Sequence, residues 1–219
     1  LNRCIIEANR EGLPVRIHCI ADGSVRMALN AFEASVRVNG KFPGNTIEHI
    51  ENIDPADIPR FRELGVQPPM QPMHLLLDAG GKVQRIGKER IRYEWMTKTL
   101  LDSCGSLALG TDYPVVSMNP FDTLYAAVTR KNFDGSEAGC NPEEKLTMGE
   151  ALKSYTYAAA AAYSRQNEVG SLEKGKFADL IVVSQNLFHI PEQEIRKSRV
   201  LLTMTGGKIV YRANDFRQP

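Results

Sequence analysis

Residues 108–115 read ALGTDYPV. A short apolar run meets Gly110, and Asp112 follows where a strand should stop. In parallel α/β folds, functional groups sit at the carboxyl ends of strands. Gly110 lets the backbone pass close to a ligand, and Pro114 ends strand pairing just beyond the acid. Asp112 is therefore expected at a rim, aimed outward toward a metal or substrate.

Two other stretches end in the same way. Residues 15–20 (VRIHCI) and 46–50 (TIEHI) are short β-rich runs, with His18 and His49 near their ends. Residues 65–71 (GVQPPMQ) begin like a third strand and are broken by Pro68, Pro69 and Pro72. Helical spacing of apolar residues fills the gaps. It covers 4–11, stopped by Gly12; 24–38, on Val25, Leu29, Phe32 and Val36; and a segment opened by Asp54 and Pro55 and closed by Gly65. A long loop is expected after residue 72, then helices over 93–102, 120–131 and 148–164. Thr147 and Glu150 form a capping box for the last of these. The strand carrying Asp112 spans 106–112. From Gly170 the pattern turns to short β runs at 180–183, 200–205 and 208–211, the last two joined by a Gly206–Gly207 turn.

Strand and helix alternate four times, which predicts a parallel sheet of βα units. Four units are half of a (β/α)8 barrel, a fold of about 250 residues. The β-rich tail makes a second, smaller layer. The boundaries are 1–168 for the partial barrel and 169–219 for the tail.

Composition narrows the function. The chain carries 27 basic and 26 acidic residues, net +1, so nothing favours nucleic acid or an anionic membrane surface. No apolar run approaches the ~18–20 residues that cross a bilayer. No secretory signal is visible. Cys4, Cys19, Cys104 and Cys140 are far apart with no CxxC, which suits free thiols and a cytoplasmic location.

Two imidazoles and a carboxylate are the usual ligand types for catalytic Zn²⁺. His18, His49 and Asp112 on strand ends of one barrel would converge on its mouth. Each taken alone also reads as an ordinary core or rim residue. His74, in QPMH, fits a substrate contact at the mouth or a solvated loop position. Arg85 is a second substrate-binding candidate; like Arg90, it also reads as surface charge in a Gly-flanked loop. Asp22 suits an Asx turn better than support of a ligand His. Glu48 and Cys19 should face away from His49 and His18 by strand alternation.

These stretches together resemble the C-terminal half of the amidohydrolase superfamily, in particular the amidohydrolase-3 group that includes formamide deformylases. The resemblance rests on IHCIADGS (17–24), IEHIE (47–51), VQPPMQPMH (66–74), GTDYPV (110–115), NPFDTLYAAVTRK (119–131), LTMGEALKSYTYAAA (146–160), GSLEKGKFADLIVV (170–183) and VLLTMTGGKIVY (200–211). It implies strands five to eight of the barrel, followed by the C-terminal part of a flanking β-sandwich. It makes His18 and His49 the metal-binding His of strands five and six. Asp112 becomes the strand-eight Asp, ligand and proton carrier in one. The implied cofactor is one or two divalent ions, Zn²⁺ by ligand type, and the implied reaction is hydrolysis of an amide-like C–N bond in a small molecule.

The family's His-x-His of strand one and its strand-four ligand are absent here. The chain therefore reads as a fragment of an enzyme, inactive alone, that self-associates or joins its missing N-terminal half. The alternatives are a non-catalytic remnant acting by association, and a deaminase or cyclic-amide hydrolase of the same superfamily.

Overall fold

A computed structural model describes residues 1–216. Helix α1 (Asn2–Arg10) leads into strand β1 (Arg16–Cys19), then α2 (Asp22–Asn39) and β2 (Thr46–His49). Next come α3 (Ile58–Leu64), β3 (Pro69–Met70) and α4 (Pro72–Arg90). After α5 (Thr97–Cys104), β4 (Ala108–Leu109) and α6 (Pro120–Thr129), two short helices follow, α7 (Met148–Tyr155) and α8 (Tyr157–Ala162).

All four strands are parallel. Ile17 lies beside Ile47 across β1 and β2, and Met70 beside Leu109 across β3 and β4. A bridge between Thr46 and Gln67 connects the two pairs. There the amide of Ile47 donates to the carbonyl of Gln67 at 3.1 Å. The strands thus follow the order of the chain, and β1 and β4 form the edges among the described residues. Helices pack on this sheet through Phe32 of α2, Phe61 of α3 and Leu100 of α5, all fully buried with Ile47 and Met70. Each such side chain contributes roughly 1.5–3 kcal/mol through burial.

The last three strands, β5 (Leu180–Val183), β6 (Val200–Thr205) and β7 (Lys208–Arg212), form a separate antiparallel sheet. Thr205 pairs with Lys208 across a turn whose Gly206 and Gly207 have φ of 56° and 78°, left-handed values that favour glycine.

Three local expectations give way. The stretch after residue 72 is a helix, α4, interrupted only at Gly87 (φ 81°). Gly80 and Gly81 each weaken a helix by about 1 kcal/mol, but Leu75 is buried in the core, with Leu76 and Ala79 packed against it. Tertiary burial overrides propensity. The single helix expected over 148–164 is two, broken at Thr156 (φ −123°, ψ −84°). The strand expected over 106–112 pairs only at Ala108 and Leu109, so Asp112 sits three residues beyond it. The Asp54 cap, the left-handed Gly65 stop and the Thr147–Glu150 capping box form as expected.

Candidate metal centre at the strand ends

His18 and His49 lie at the carboxyl ends of β1 and β2, and Asp112 lies in the loop that follows β4. Strict alternation puts His49 beside Cys19 and Glu48 beside His18. Backbone conformation breaks that rule at the last residue of β2. His49 has φ 76° and Ile50 φ 51°, both left-handed. The His18 and His49 rings meet edge to face, 4.5 Å between centroids. Asp112 is also left-handed, with φ 56°. Non-glycine residues rarely hold this conformation, and they concentrate at functional sites.

Among the described residues, His49, His74 and Asp112 form a donor group, with one ligand atom from each lying within 4.8 Å of the others. His74 enters from the first turn of α4, behind Pro72. Its ring stacks on that of His49 at 5.7 Å with a 16° interplanar angle. Its Nε2 is buried without a hydrogen-bond partner. His18 touches this group through His49 and is itself exposed.

Gln71 organises His49. Its Oε1 accepts from Nδ1 at 2.9 Å, which leaves Nε2 of His49 free. Burial pushes the His49 imidazole below its usual range, and His18 adds to that effect. A neutral ring is the form that binds metal. A cavity of about 410 Å³ opens beside these groups, lined among others by Arg16, Glu48, His49, Gln71, Asp112 and Tyr163. Glu48 therefore faces the same space as His49, contrary to the alternation argument. Burial raises its carboxyl pKa, and nearby Asp112 adds to the rise against Thr46 and Arg16.

The donor set fits a divalent cation. It combines imidazole nitrogens with a carboxylate, leaves one buried nitrogen unsatisfied, and adjoins open space. Arg85 is not brought to this place. It lies on the exposed side of α4 in an ion pair with Asp78. The loop that was to carry it to the mouth is helix. Asp22 accepts from the Gly23 amide at 2.7 Å and pairs with Arg90, without contact to a His.

A protein-family model matches residues 1–211, and its description is the amidohydrolase family. The chain belongs to the amidohydrolase family. It is 33% identical over 213 residues to Protein LONG AFTER FAR-RED 3 of Arabidopsis thaliana, covering 96% of the chain and 36% of the relative. It is 27% identical to an N-substituted formamide deformylase of Arthrobacter pascens, over 94% of the chain and 38% of that protein. A solved metal-dependent hydrolase from Pyrococcus horikoshii superposes with a TM-score of 0.76 at 28% identity, over 87% of this chain and 38% of that one. Another from Pyrococcus furiosus gives 0.67 at 31% identity, over 80% and 35%. The chain thus spans well under half the length of these relatives. Its described residues include no helix long and apolar enough to cross a membrane.

Sequence reading missed Gln71, Glu51 and Lys82. Gln71 had a usable signal, since a polar residue between Met70 and Pro72 ends β3 at the same rim as His49 and Asp112. Glu51 accepts a 2.8 Å charge-assisted bond from Lys82, and both side chains are buried. Burial pushes the Glu51 carboxyl up, but His74 and Lys82 outweigh it and hold the pKa below the usual range. Nothing local in the sequence pairs residues 51 and 82.

Proposed function

We propose that this chain is the metal-binding C-terminal half of a hydrolase acting on non-peptide C–N bonds, with an amide or formamide as substrate. In this reading β1 to β4 are strands five to eight of a (β/α)8 barrel, and residues 169–219 belong to a flanking β-sandwich. The observation that carries the proposal is the convergence of His49, His74 and Asp112 beside an open cavity. The kinship with an N-substituted formamide deformylase supports the substrate class.

His18, His49 and Asp112 would hold the cation, with His74 at its edge. When bound, a divalent cation such as Zn²⁺ supplies Lewis acidity and acidifies water near neutral pH. The residues of the chain carry the rest. Asp112, exposed at the cavity, takes a proton from the attacking water. The water oxygen bonds to the carbonyl carbon, the C–N bond breaks, and Asp112 returns the proton to the leaving nitrogen. Gln71 keeps Nε2 of His49 pointed away from its own hydrogen bond, in the tautomer a ligand needs. His74 is placed to accept a hydrogen bond from a substrate N–H through its unpartnered Nε2.

Replacing Asp112 tests this assignment. Asp112→Asn in the intact gene product should lower turnover by at least the ~10²–10⁴ of general acid–base catalysis, with the fold intact by circular dichroism. Retention of a tenth of the wild-type rate would end it.

A further inference from the structure

We propose that Glu51, anchored by Lys82, is the positioning residue of His74: it fixes the ring with its proton on Nδ1 and leaves Nε2 open toward the site. The inference rests on reading His49, His74 and Asp112 as one site.

Glu51 lies two residues beyond His49, where the chain leaves β2. Its Oε1 is 3.8 Å from Nδ1 of His74, a charge contact longer than a hydrogen bond. Its Oε2 accepts from Nζ of Lys82 at 2.8 Å. Lys82 is 4% exposed and Glu51 6%. The ammonium also lies 3.7 Å from the centre of the Trp95 ring. The backbone amide of Trp95 donates to the carbonyl of Glu51 at 3.0 Å. The carboxylate thus lies between two side chains of α4, while Trp95 holds both the Glu51 backbone and the Lys82 ammonium.

A buried ion pair is a poor route to stability. Its desolvation roughly cancels its attraction, and apolar side chains of the same size do as well or better. The pair lies where one carboxylate oxygen meets the inner nitrogen of His74. The other nitrogen, Nε2, is buried and unpartnered, on a ring that belongs to the donor group. A carboxylate beside one ring nitrogen selects the tautomer that frees the other. Gln71 does the same for His49 from the other side. The two stacked rings are then each oriented by a separate acceptor.

The test is the tautomer of His74, read by long-range ¹H–¹⁵N correlation on metal-free, ¹⁵N-histidine-labelled protein at pH 8. The wild type should carry the proton on Nδ1. Glu51→Leu with Lys82→Met removes the acceptor and both charges of the pair together, so His74 should move toward the Nε2-protonated form. Glu51→Gln with Lys82→Met restores an acceptor and should restore the Nδ1 proton. A purely structural pair would leave the tautomer alike in all three. In the intact gene product, the Leu/Met variant should lower kcat by about 10- to 100-fold, the cost of losing such a support, and the Gln/Met variant should recover part of it. An unchanged tautomer in Leu/Met, or a change not reversed in Gln/Met, overturns the proposal. If Leu/Met does not fold, the wild-type spectrum decides, since a proton on Nε2 overturns it. Absence of turnover in the wild type would count against the hydrolase reading, while the tautomer result would still decide the role of Glu51.

Discussion

Removing only the acid of the buried pair should be among the most destabilising single changes in the chain. The Lys82 Nζ and Glu51 Oε2 atoms are 2.8 Å apart. At an effective dielectric of ~20 the gross attraction is about 6 kcal/mol, most of it offset by desolvation. Glu51→Leu removes the attraction and keeps the desolvated ammonium, because Lys82 is only 4% exposed and cannot reach water without opening α4. Such breakage costs roughly 3–5 kcal/mol. Trp95, 3.7 Å away, retains up to about 2 kcal/mol of cation–π attraction, which puts the expected loss near the lower figure. With a urea m-value of about 2–3 kcal/mol/M, the unfolding midpoint should fall by about 1 M or more. Adding Lys82→Met should bring stability back to within ~1 kcal/mol of wild type or above it. The double-mutant cycle, followed by fluorescence of Trp95, isolates the coupling. A loss below ~1 kcal/mol for Glu51→Leu, or simple additivity in the double variant, would show that Lys82 is not left as a buried, unpaired charge.

Two further outcomes follow from the geometry. Gly170→Ala should cost at least about 2 kcal/mol, because the new Cβ would lie 2.8 Å from Ala160 Cβ and 3.0 Å from Tyr157 Cα at φ 92°. Gly105→Ala, at φ 73° but in open space, should cost only the ~1 kcal/mol of backbone strain, and equal thermal losses for the two would contradict the close approach. Arg85→Ala should change stability by less than ~0.5 kcal/mol, as exposed pairs do, and leave kcat/KM of the intact gene product unaltered; a tenfold fall would return Arg85 to the substrate site.

The βα order was legible because each strand end carries its own stop: Gly110 and Pro114 around Asp112, and the proline cluster after Val66. The rim positions of His18, His49 and Asp112 follow from that order alone. The close grouping did not. Alternation sends His49 away from His18, and only its left-handed φ, a property of the folded turn, brings the rings together. The helical state of α4 was hidden by Gly80 and Gly81, whose cost is repaid by burial that only the folded chain defines. Lys82 was hidden with it, since a lysine beside two glycines reads as a solvated loop residue. Its partner Glu51 lies 31 residues away, and no spacing rule links the two.

Metal-linked turnover is the decisive measurement for hydrolysis at this site. The intact gene product is to be assayed for hydrolysis of an N-substituted formamide as purified, after exhaustive chelation, and after return of Zn²⁺, with metal content counted at each stage. The starting protein should hold one or two equivalents of divalent metal, lose turnover with the metal, and regain it on its return. Asp112→Asn should show no recovery. Full turnover in protein stripped of metal would contradict metal-dependent hydrolysis.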